Sequence, residues 1–232
     1  MLIGALNSQS ILAPVFRHIP FGLAFGLLVA DFPDRFLLHY FASSAHSYTR
    51  GSMTTPESSF LDRDSASIAY ASAGQTIAPM YLRWALAFED PRSKTLWLAK
   101  ALPREWLAPG ETPVVAHNVT TRYGGRLSFS MHGTAGKDGG VYIATVAVSL
   151  PARWAVSPPP GGLRVRLRAP LSHAGKIRSV LVGGEAWTAF NAQAETVDFS
   201  ADQLKTRASL PLAIVATFGE RGRSGGSADP NQ

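Results

Sequence analysis

Apolar residues run almost unbroken near the start of the chain and alternate with polar ones later, and this change of period divides it in two. The segment "IPFGLAFGLLVA", residues 19–30, carries Phe21, Leu23, Phe25, Leu27 and Leu28 without a charge, the pattern of a helix covered on several sides. Pro33 breaks the run and favours a fresh start, after which Phe36, Leu37, Tyr40, Phe41 and Ala45 recur at helical spacing. These two segments predict a helical hairpin. Residues 51–74, rich in Ser, Thr, Gly and Asp, read as a long loop, and loops of that length tend to be functional or disordered. "QTIAPMYLRWALAFED" then resumes a helical pattern until about Trp84.

From Leu86 the period becomes two. "LAFEDPRSKTLWLAKAL" predicts a hairpin with its turn at Asp90 to Lys94. Further strands follow in "RLSFSMHG", "VYIATVAVSL", "LRVRLRAP", "IRSVLVGGEAW", "ETVDFSA" and "LPLAIVATF", with Gly183-Gly184 as a tight turn and "GTAGKDGG" as a hairpin loop. Short strands at this spacing, punctuated by Pro and Gly, indicate an antiparallel β-sandwich. Alternation places Leu127, Phe129, Val146, Val165, Leu167, Val180, Val182 and Phe199 inward. The same rule assigns Arg164, Arg166 and Arg168 to a solvated outer face. The fold class is therefore α+β. A partial helical region covers residues 1–90, a sandwich 91–219, and a disordered tail 220–232.

Composition narrows the function. The chain has 232 residues, 46% hydrophobic and 16% charged, which suffices for a buried core. Cysteine is absent, so thiolate metal sites and disulfides are excluded, and with no basic start for a signal peptide a cytoplasmic location is favoured. The apolar stretch at 19–30 is too short to span a bilayer as a helix. The formal charge is +6, but the basic residues are scattered, with no stripe or recognition helix, so nucleic acid is not an expected partner. No phosphate loop, dinucleotide fingerprint or nucleophile elbow occurs, and no cofactor is expected. His39 and His46 stand seven apart, which suits helix packing better than a metal pair.

The order of the pieces resembles a known family. "FLLHYFASSAHSYTRGSMTTPE", "PMYLRWALAFEDPRSKTLWLAKALPREWL", "TRYGGRLSFSM" and "IRSVLVGGEAWTAFNAQAETVDFS" together resemble the carboxy-terminal end of six-hairpin, (α/α)6-toroid glycosidase-like proteins, the α-L-rhamnosidases among them. In that family a helical toroid holds the sugar site and a β-sandwich follows. A whole toroid needs about twelve helices, several hundred residues at ordinary lengths, and this chain has sequence for about three before the strands begin. The resemblance therefore implies a glycoside hydrolase-like protein of carbohydrate metabolism reduced to its last hairpin and sandwich. The alternative is a non-catalytic carbohydrate-binding or structural β-sandwich.

Glycoside hydrolysis takes two carboxyl groups flanking the bond. Asp31 and Asp34 are explained by helix capping, and Glu89 and Asp90 by the hairpin turn. Glu57 has no such structural account, and the resemblance puts its loop at the sugar-facing end of the toroid. Glu57 is thus the catalytic candidate, with His46, Tyr48, Arg50 and Thr54 as substrate-binding candidates. Arg50 has the geometry to pair with a carboxylate or with sugar hydroxyls. Alternatively Glu57 and Arg50 only tie the loop down, and no second carboxylate is assigned. Trp154 and Trp187 are open to two readings, sugar platform or sandwich core. With most toroid neighbours missing, residues 1–45 are expected to expose Phe and Leu side chains or to recruit a second copy.

Overall fold

A computed structural model describes residues 15–16, 21–45, 58–59, 72–136, 140–208 and 211–219. The expected site loop at 46–57 and the expected tail at 220–232 lie outside the described residues. The protein is α+β and divides into two compact units after Leu102, where the sequence reading placed the change at residue 90.

The first unit contains β1 (Val15–Phe16), α1 (Phe21–Val29), α2 (Pro33–Ala45), β2 (Ser58–Ser59), α3 (Ser72–Leu86), β3 (Ala87–Glu89) and β4 (Leu96–Leu98). β1 and β2 form a short antiparallel pair. The chain leaves α1 through a Schellman turn. Phe32 N donates to Leu27 O at 2.8 Å and Asp31 N to Leu28 O at 3.1 Å. Asp31 takes the left-handed position at φ 60°, a place Asp and Asn tolerate better than most side chains. Pro33 opens α2, where its missing N–H costs nothing. The three helices share a core of Leu28, Phe36, Tyr81, Phe88 and Trp97, with Phe25 set edge-on to Trp84 at 5.2 Å. Phe25 is only partly covered, Leu28 is fully buried, and Phe21 is 52% exposed. Leu23, Phe32, Leu38 and Phe41 are also exposed, so the apolar helices meet on one side only.

α3 runs directly into the hairpin β3–β4, with Phe88 opposite Trp97. Its turn lies where the sequence puts it. Asp90 Oδ1 accepts from Arg92 N at 2.8 Å and from Ser93 N at 3.4 Å, and Lys94 adopts φ 56°.

The second unit holds β5 (Val114–Thr120), β6 (Arg126–Ala135), β7 (Val141–Ser149), β8 (Leu163–Arg166), β9 (Ile177–Val182), β10 (Glu185–Ala186), β11 (Phe190–Asn191), β12 (Thr196–Phe199), α4 (Ala201–Arg207) and β13 (Leu212–Gly219). One antiparallel sheet runs β10-β9-β13-β7-β6-β5. A second contains β11-β12-β8 in that order, also antiparallel. All eight residues expected inward are buried. Burial alternates along β6 as far as Thr134 and along the whole of β7, because successive side chains point to opposite faces. Gly183 and Gly184, both at positive φ, make the β9–β10 turn.

The expectation for the arginine strand needs correction. Leu163, Val165 and Leu167 are buried as alternation requires, and Arg164 is partly exposed and paired with Asp198 across the β8–β12 ladder. Arg166 and Arg168, however, are only 5% and 2% exposed. Alternation separates the two faces of a strand but does not say whether the second is covered. Here it is covered. α4 was not anticipated either. It starts on a capping box in which Ser200 Oγ accepts from Gln203 N and the Gln203 side chain accepts from Ser200 N.

Candidate functional site

Among the described residues, a concave site forms in the second unit between the β5–β6 turn and the segment after β7. The turn is "TRYGG", residues 121–125. Gly124 N donates to Thr121 O at 3.2 Å, and Gly124 and Gly125 take φ of 82° and 81°. These angles suit glycine, and the space demands it too. A Cβ on Gly125 would lie 2.5 Å from Pro151 Cβ, and one on Gly124 would lie 3.0 Å from Arg153 Cδ. Two bare backbones therefore let the turn lie directly on residues 151–153.

The opposite wall is a 3-10 turn, Ala152–Ala155, followed by "VSPPPGG". Trp154 is fully buried, and its indole Nε1 donates to Gly124 O at 3.2 Å. That bond fastens the two walls, and it settles Trp154 as core. Ser157 N closes back on Arg153 O at 2.9 Å.

Between the walls is a cavity of about 250 Å³ lined by Arg122, Tyr123, Gly124, Arg153, Ser157, Pro158 and Pro160. Among the described residues, two guanidinium groups line it and no carboxylate does. The Arg122 guanidinium lies 5.3 Å from the Tyr123 ring centroid, within cation–π range. Tyr123 Oη is screened from solvent and has no hydrogen-bond partner among the described residues. Such a hydroxyl forfeits about 1–3 kcal/mol until an acceptor reaches it. Among the described residues, then, the lining offers donors and positive charge.

The residues singled out from sequence fall elsewhere. Glu57, His46, Tyr48, Arg50 and Thr54 all lie outside the described residues. Trp187 is half-buried, stacked on Phe199 at 4.9 Å with the Arg207 guanidinium 5.2 Å from its ring, so its ring is already engaged. His39 is buried in the helical core with Nε2 3.2 Å from Tyr81 Oη. Burial lowers the His39 pKa and raises that of Tyr81, which fits a neutral core pair. No group of three metal-ligating side chains occurs among the described residues, and no helix among them is long and apolar enough to cross a membrane.

Sequence reasoning did not find the cavity residues. Arg122 and Arg153 stand about thirty positions apart. The available signals were the doubled glycine in a hairpin turn and the proline run after Trp154, each of which marks local geometry and not a shared site. Comparison of the chain with protein-family models, curated proteins and solved structures gave no match.

Proposed function

We propose that this chain is a carbohydrate-directed protein of glycoside hydrolase-like type, in which the β-sandwich unit binds sugar without cleaving it. The order of elements supports the reading: a helical hairpin, a helix running into a β-hairpin, then an antiparallel sandwich. The observation that carries it is the cavity of Arg122, Tyr123, Arg153 and Ser157, a donor-rich hollow on a β scaffold with no carboxylate among the described residues that line it. Donors of this kind suit hydroxyl and ring oxygens, and the absence of paired carboxyl groups in the lining suits binding over hydrolysis.

The test is a glycan array probed with the purified chain, run beside a panel of aryl glycosides that includes rhamnosides. Binding without turnover, weakened by Arg153→Gln, is the expected result. Robust turnover lost on Glu57→Gln would instead favour hydrolysis by the loop at 46–57. Neither binding nor turnover would remove the carbohydrate reading.

A further inference from the structure

We propose that the outer face of the six-stranded sheet is a docking surface for a second copy of this chain, packed sheet against sheet. The two faces of that sheet differ in kind. Inward side chains of β6, β7 and β13, such as Phe129, Val146 and Ile214, are buried. The outward positions follow from the register. One row runs His132, Thr145, Val215, Leu181 across β6, β7, β13 and β9. On one side of it Ser130 pairs with Ala147 and Ala147 with Ala213. On the other side Ile143 pairs with Thr217 and Thr217 with Ser179. None of these outward residues is Asp, Glu, Lys or Arg.

A surface designed to stay monomeric carries about 25–35% charged residues with both signs interspersed. Here charge is confined to the margins, with Arg126 and Arg178 at opposite ends of the face. An uncharged middle inside a polar rim is the composition of an interface core. The described residues leave the face open. Leu181 is 40% exposed, and Val115, beside Ser130 on β5, is 49% exposed. The occupant follows from shape, charge and size. A twisted sheet is matched by another sheet of the same hand, stacked about 10 Å away at an angle of about 30°. The chain carries such a sheet itself, and a two-fold pair sets uncharged rows against uncharged rows without like-charge repulsion. Five strands, β9 to β5 through β13, β7 and β6, spaced at about 4.8 Å, with three rows at about 7 Å, give a footprint of roughly 500 Å² per copy. Two footprints reach roughly 1,000 Å², the lower limit for a specific interface, so the dimer is weak and reversible.

The experiment is sedimentation velocity of the full chain from about 5 to 500 μM, the range in which an interface of this size dissociates. A reversible monomer–dimer equilibrium is expected. Thr145 lies on the middle strand and in the middle row, so Thr145→Lys sets like charges against each other at the centre of the stacked faces. It is expected to weaken the dimer at least about tenfold, and Val215→Lys similarly, with the melting temperature of dilute protein unchanged. Mixed Thr145→Lys and Thr145→Asp chains are expected to pair more tightly than either variant alone, a gain that misfolding cannot produce. Phe41→Glu, on the exposed side of α2, is expected to leave the equilibrium as it is. A monomer at every concentration overturns the proposal. So does a dimer unaffected by both lysine variants, or one abolished by Phe41→Glu, which would assign self-association to the apolar helices. Mixed chains that associate no better than unmixed ones place Thr145 outside the contact and overturn it as well.

Discussion

Replacing Glu195 with glutamine tests how the second unit is held together. Glu195 sits in the β11–β12 turn at φ 56°, only 3% exposed. Its carboxylate accepts from Arg104 Nη2 at 2.7 Å and Nη1 at 3.0 Å, a two-pronged pair, and from Ala169 N at 3.2 Å. Arg104 Nη1 also donates to Ala169 O at 2.5 Å. One carboxylate thus joins the 3-10 turn Arg104–Leu107, the segment after β8 and the β11–β12 turn. Glutamine keeps the shape and an oxygen for Ala169 N but leaves the guanidinium without its counter-charge. Breaking a buried pair this way costs about 3–5 kcal/mol. The low end, about 3 kcal/mol, applies because the Arg104 side chain keeps 18% exposure and water can reach part of it. In Arg104→Met/Glu195→Gln both charges are gone, so the double variant is expected to lose less than the two single losses added, by about 1–3 kcal/mol. Urea unfolding followed through the indole resonance of Trp154, a core residue of this unit, measures both quantities. A Glu195→Gln loss below about 0.5 kcal/mol, or strictly additive losses in the double variant, would refute the reasoning.

Three further outcomes follow from the packing. Gly133→Ala should cost about 3 kcal/mol or more, because the new methyl group collides with Leu107 O and the Tyr142 ring and hydroxyl, which share a 2.7 Å hydrogen bond. An unchanged melting temperature would contradict it. His39 makes the first unit acid-sensitive. Its folded pKa is lowered below 6.5 by burial, so the unfolded chain binds more protons below that pH. Its contribution is full above pH 6.5, declines as pH falls through 6.5 towards the folded pKa, and then levels off. His39→Phe should flatten that slope in thermal unfolding at a series of pH values, and an unaltered slope would count against it. Asp31→Ala should destabilise the first unit by about 1–2 kcal/mol more than Asp31→Gly, since both remove the carboxylate 3.6 Å from Lys100 Nζ but only alanine keeps a Cβ in the left-handed backbone at φ 60°. Equal losses on chemical unfolding would show that the backbone conformation is not the cause.

The sheets were legible because their information is local. Period-two alternation alone selects Leu127, Phe129, Val146, Val180, Val182 and Phe199, and all are buried. The hairpin turn at Asp90 was equally readable, since its Asx geometry is written in three consecutive residues. α4 was missed although its capping box is spelled out by Ser200 and Gln203. A seven-residue helix between two strands has too few turns to show a period, so the cap was its only signal. The cavity was invisible for a different reason. It exists only once the β5–β6 turn and the 3-10 turn at Ala152–Ala155 come together, and what brings them together is the absence of two side chains.

The arginine strand shows where pattern reading meets chemistry. "LRVRLR" identifies two faces correctly, and the apolar face is buried at Leu163, Val165 and Leu167. The inference from polar to solvated then fails at Arg166 and Arg168. Arginine cannot escape burial by losing its proton as lysine can, so a covered guanidinium must keep partners for its charge and its donors. Neither Arg166 nor Arg168 is without a partner. Arg164, one step nearer solvent, answers the same demand with Asp198 on the neighbouring strand. Alternating arginines therefore specify a polar second face without fixing its exposure, and the guanidinium's five donors are what make a covered version of that face affordable.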